Sequence, residues 1–64
     1  MTEQHAIKRA RQLALDNGET QYVVHEDYDD RGRFQAFHVT DAYELATFFA
    51  GISESRIIFC TDDD

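Results

Sequence analysis

Cysteine occurs once in this sequence, at Cys60, so no disulfide can form within the chain and packing alone must hold any fold together. A single thiol fits a reducing compartment. No run approaches the ~20 apolar residues of a membrane-spanning helix, and the first residues lack the apolar stretch of a signal peptide. These absences lead to the expectation of a soluble, cytoplasmic protein. Also missing are the CxxC and HxxxH spacings of metal sites, a glycine-rich phosphate loop and any recognisable nucleophile–base pattern. Internal repeats, linkers and low-complexity segments are absent as well, apart from a terminal run of aspartates. The 64 residues therefore read as one domain spanning 1–64, with 62–64 expected to fray. A domain of this size buries only about 60% of the surface its unfolded chain exposes, so modest stability is expected.

Charge is what the sequence has in abundance, and it is segregated. Residues 1–15 carry Lys8, Arg9 and Arg11 against Glu3, a net +2. Residues 16–64 carry twelve acids against Arg31, Arg33 and Arg56, a net −9, which together give −7. High charge can signal disorder, but 42% of the residues are apolar and they fall in periodic blocks, so a folded domain is the better reading. A field of this sign favours cationic surfaces and disfavours nucleic acid and anionic membranes as direct partners.

Thr2 is suited to cap a helix running to about Asp16, with Ala6, Ile7, Ala10, Leu13 and Ala14 on one stripe and Asn17-Gly18 as its stop. Residues 20–28 and 33–39 then read as two strands of a hairpin, with Asp29-Asp30-Arg31-Gly32 as the turn. A turn centred between Asp30 and Arg31 sets Tyr22 opposite Val39 and Val24 opposite Phe37. It leaves Val23, His25, Asp27, Phe34, Ala36 and His38 on an open face. Asp41-Ala42-Tyr43-Glu44 has the spacing of a capping box, with Thr40 as the alternative cap. The helix it opens takes its apolar face from Ala42, Leu45, Ala46, Phe48, Phe49 and Ile52 and stops at Gly51. Arg56–Thr61 reads as a last strand. The order is α-β-β-α-β: an α+β two-layer sandwich with a three-stranded antiparallel sheet, order 2-1-3, and both helices on one face.

Four constellations invite chemistry. Asp27, Asp29 and Gly32 match a calcium loop, but Arg31 and His38 occupy positions where that loop needs acidic ligands, which favours the hairpin turn. His25 and His38 share a face in the expected register, yet two ligands do not make a metal site and no spacing recruits a third. Cys60, within Ile57-Ile58-Phe59-Cys60, is most simply a small core residue. Lys8, Arg9 and Arg11 form a basic patch, but three charges do little against nine net negatives, so a solvated helix face is the simpler reading. No catalytic residue, cofactor or metal is assigned, and the chain is expected not to be an enzyme.

The acidic surface remains. Duplex DNA carries one negative charge per roughly 1.7 Å of axis, so a rigid row of carboxylates can occupy a Lys/Arg groove built for it. The contact residues this reading selects are Glu26, Asp27, Tyr28, Asp29, Asp30, Asp41 and Glu44. Acidity also serves plain solubility or a salt-loving proteome. An interaction module of antitoxin-like or accessory type, binding a basic partner through its sheet face or edge, is the alternative function; Phe34 and Tyr28 would be its apolar anchors.

In size, acidity, lack of catalytic motifs and compact α/β pattern, the whole chain resembles the small phage-encoded anti-CRISPR proteins, in particular those that mimic DNA. The resemblance is one of type, with no shared motif. It implies a stoichiometric inhibitor working in the cytoplasm of a bacterial host. The implied partner is a type I CRISPR surveillance complex, blocked at the basic surface that recognises the PAM or the target duplex. The basic first helix departs from a uniformly acidic mimic.

Overall fold

The computed structural model describes residues 2–27 and 35–63. Helix α1 (Glu3–Asn17) starts and stops where its sequence signals stand. The Thr2 side chain accepts the His5 backbone N–H at 3.2 Å. At the other end Gly18 takes the left-handed conformation, φ 68°, and its N–H donates to the Ala14 carbonyl at 2.9 Å. A capped start and a glycine end satisfy backbone groups that the helix itself leaves unpaired.

Strands β1 (Gln21–Asp27) and β2 (Gln35–Asp41) form the hairpin, and β3 (Ile57–Cys60) pairs antiparallel on the other side of β1. The sheet order is β2-β1-β3, with both helices packed against it, an α+β domain. Two 3-10 turns, Glu54–Arg56 and Thr61–Asp63, flank β3 and shorten it from the six residues expected to four.

The hairpin register differs from the expected one by a single residue. Tyr22 pairs with Thr40, Val23 with Val39, Val24 with His38 and His25 with Phe37. Because side chains alternate across a strand, this slip exchanges the faces. Val23, Phe37 and Val39 now share one face, and α1 lies on it: Ala6, Ala10 and Val23 form the buried cluster, with Ile7, Phe37, Val39, Ile58 and Phe59 packed around it. Val23, assigned to an open face by the sequence pattern, is fully buried. His25 and His38 stand on opposite faces, which removes them as a pair of ligands. His25 stacks on Phe37 with ring centroids 4.9 Å apart.

The opposite face is not bare. Val24 is as buried as Val23, and the His38 ring lies 5.5 Å from that of Phe49, just beyond α2. So α1 covers one face of the sheet, while the segment that follows α2 reaches the other. Helix α2 (Ala42–Thr47) is shorter than its apolar pattern suggests. It gives way to a turn closed by Gly51 at φ 86°, leaving Phe48 78% exposed. Within its last turn the Thr47 hydroxyl donates to the Tyr43 carbonyl at 2.9 Å, a local bond that competes with helix continuation.

Cys60 is free and half-buried, at the sheet margin and not in the core. The chain beyond it is tied down at two points. The Gln21 N–H donates to Thr61 Oγ1 at 2.9 Å, and Thr20 Oγ1 donates to Asp62 Oδ1 at 2.8 Å. Among the described residues only Ala6, Ala10, Val23 and Val24 are fully buried apolar side chains, a small core even for this length.

Candidate acidic interface

The residues selected from the sequence fall at two ends of the sheet. Glu26 and Asp27 close β1 beside the hairpin connection; Tyr28, Asp29, Asp30 and the proposed anchor Phe34 lie outside the described residues. Asp41 ends β2 opposite Gln21, the first residue of β1. Five strand positions separate Gln21 from Glu26, about 17 Å at the usual rise. The structure thus brings Asp41 and Glu44 together and holds them apart from Glu26.

Glu26 and His38 are diagonal neighbours on one face, with Oε2 and Nε2 3.1 Å apart. Their side chains are 41% and 33% exposed, so the carboxylate remains reachable from solvent while it is oriented by the imidazole.

At the far end the capping box forms in full. Asp41 Oδ1 accepts the Glu44 N–H at 2.7 Å, and Glu44 Oε1 accepts the Asp41 N–H at 3.4 Å. Asp41, not Thr40, is the cap; Thr40 is buried and donates its hydroxyl to the Asp41 carbonyl. Two of the selected carboxylates therefore start a helix, a task any such junction requires, as well as carrying charge.

Two more acids join this end. Glu19 and Thr20 meet Asp41, Ala42 and Tyr43 around an open cleft of about 420 Å³. Asp62 arrives through its bond from Thr20. Neither Glu19 nor Asp62 was selected from the sequence, although the 2-1-3 order already implied that the end of β3 returns to the start of β1. Tyr43, 74% exposed, gives the cleft an aromatic wall. Among the described residues Leu15 and Phe48 are the other large apolar side chains left in water, 80% and 78% exposed.

Among the described residues the basic side chains are Lys8, Arg9 and Arg11 on α1 and Arg56 in the turn before β3. A second open cleft, about 540 Å³, is lined by Thr2, Gln4, His5, Lys8, Arg9 and Gln12. Arg11 instead lays its guanidinium over the Phe59 ring, 5.3 Å from the centroid. Such a contact covers apolar surface with a charged group that stays wet. Among the described residues, no group of three or more His, Cys, Asp or Glu is placed to hold a metal ion, and no helix is long and apolar enough to cross a membrane. No protein-family model, curated protein or solved structure matches the chain.

Proposed function

We propose that this chain is a non-catalytic, stoichiometric inhibitor that presents carboxylates in place of DNA phosphates. Its target is the DNA- or PAM-binding surface of a type I CRISPR surveillance complex. The observation that carries the reading is the net −9 of residues 16–64, held on a small α+β scaffold whose acids gather at both ends of one sheet.

Magnitudes narrow what such a mimic can replace. The molecule's longest dimension is 37 Å, a length over which duplex DNA carries about 22 phosphate charges. The seven net negatives of the whole chain are about a third of that density. The match is therefore to a short, locally basic site that reads a few base pairs, not to a long groove that tracks a duplex.

The test is competition. A type I surveillance complex is titrated with the chain, and binding of a PAM-containing duplex is followed at about 50 and 200 mM salt. Loss of duplex binding near one equivalent of chain, relieved by added duplex and weakened at the higher salt, is the expected result. Duplex binding that persists at large excess of chain overturns the reading. Charge reversal at Asp29 and Asp30 should reduce inhibition while the domain stays folded.

The exposure of Tyr43, Phe48 and Leu15 favours a second reading, an interaction module anchored on apolar contacts. Its affinity would respond to Tyr43→Ala or Phe48→Ala more than to ionic strength.

A further inference from the structure

Carboxylates account for what the chain offers a cationic groove, but α1 carries the opposite charge. His5, Lys8, Arg9 and Gln12 fall at helical spacing on one stripe about 10 Å long. All four are exposed, and Thr2 and Gln4 extend the same surface around the open cleft of α1. Ala6 and Ala10 bury the other side of the helix against Val23, which holds the stripe facing away from the sheet.

The charge of this stripe is uncommitted. Arg11 lies over the Phe59 ring, whereas neither the Lys8 ammonium nor the Arg9 guanidinium has an ion-pair partner among the described residues. Glu3 projects more than about 100° around the helix from both. Asp16 lies on their side, but seven residues beyond Arg9, about 10 Å along the axis, where it accepts the Gln12 side-chain amide at 2.9 Å. Charges are screened over about 8 Å at physiological salt, so the acidic end does not cancel the stripe.

We infer that this face of α1 docks on the backbone phosphates of the guide RNA carried by the surveillance complex, beside the groove that the carboxylates occupy. The inference rests on the inhibitor reading and adds a second contact to it. In RNA-guided effectors, pairing with the guide starts next to the PAM-reading surface, so a chain seated there has guide phosphates as neighbours. A uniformly acidic body would be repelled by them. This chain instead turns a basic helix towards the phosphates while its acids meet protein cations. The dimension fits, since one strand advances about 3.4 Å per phosphate and the stripe spans about three of them. Lys8 and Arg9 provide the charge, and the His5 imidazole and Gln12 amide have N–H groups to donate. Two cations on a chain of net −7 hold nucleic acid poorly by themselves, so the contact acts once the acidic surface is engaged, as the second half of a bivalent attachment.

The experiment compares the full chain with Lys8→Gln/Arg9→Gln and Lys8→Glu/Arg9→Glu for affinity to an intact surveillance complex and for duplex displacement, with circular dichroism as the check on folding. The neutral pair should bind several-fold more weakly at about 50 mM salt. It should also lower the slope of log affinity against log salt by about 1.4, at about 0.7 for each phosphate contact, and by the same amount with guides of different sequence. The reversed pair should lose more than about ten-fold. A benzophenone-bearing residue in place of Gln4, in the otherwise unaltered chain, should crosslink to the RNA; this arm decides even where a charge variant fails to fold. An unaltered chain that does not displace the duplex overturns the inhibitor reading and this contact with it. Displacement by the unaltered chain, with equal affinity and slope in folded variants, overturns the contact alone. Crosslinking from position 4 to a protein subunit and not to RNA overturns it in favour of an acidic protein surface.

Discussion

His38 and Glu26 join β2 to β1 diagonally, with Nε2 and Oε2 3.1 Å apart, and the same imidazole meets Phe49 on its way out of α2. One histidine thus touches both the next-to-last residue of the central strand and the aromatic that brings the second helical segment back onto the sheet. Because the pair is about a third exposed on each side, its energy is discounted by solvent. A double-mutant cycle with Glu26→Gln and His38→Gln should give a coupling below about 1 kcal/mol in urea denaturation. A coupling several times larger would mean that the pair is a structural centre and not a surface contact.

Asp41 offers a sharper test of where stability comes from. Replacing it with Ala removes the 2.7 Å bond to the Glu44 N–H and should cost about 1 kcal/mol, while Asp41→Asn keeps most of the cap. Glu44→Ala should cost less, since its return bond is longer, 3.4 Å. Urea midpoints of the three variants rank the effects. Equal losses for Asn and Ala would show that the carboxylate's charge, and not its hydrogen bond, matters.

The seat of α1 is built from the smallest side chains. Ala6 and Ala10 are both fully buried, so the helix backbone lies close to Val23. Ala10→Leu should overpack this contact and destabilise by about 1–3 kcal/mol. Against a typical stability of roughly 0.05–0.15 kcal/mol per residue, that is a large share of what 64 residues provide. Thermal unfolding should show the loss, and an unchanged midpoint would mean that α1 moves away freely.

Gly18 tests backbone geometry without packing. A Cβ added there meets nothing within 4 Å, yet φ 68° is a conformation that L side chains rarely adopt. Gly18→Ala should cost about 1 kcal/mol through the backbone alone, and Gly18→Asn less, because asparagine tolerates this region. Both are read from urea curves at equal slope.

How far the sequence could be read depended on how local each signal was. Thr2 and Gly18 bound α1 by chemistry that operates within four residues, and the structure places both as expected. Element order and the 2-1-3 sheet followed from connection lengths. The hairpin register did not, because Val23 and Val24 are both fully buried, one from each face, and alternation cannot rank two adjacent valines. Phe48 and Phe49, just beyond α2, posed the same problem: they read as one apolar stripe of a longer helix, but only Phe49 turns to the sheet. Of the acids, Asp41 and Glu44 were legible as a pair because their spacing encodes a cap. The approach of Glu19 and Asp62 required a contact between distant parts of the chain that charge pattern alone does not carry.

Val23 and Val24, consecutive and wholly excluded from water on opposite sides, make β1 a strand gripped from above, from below and along both edges. Its backbone amides should exchange with solvent only when the whole domain opens, whereas those of β3 can be released by peeling a four-residue edge. Opening of this molecule would then proceed inward from β3. The strand the chain uses most to hold itself together is also the one a proteolytic enzyme would reach last.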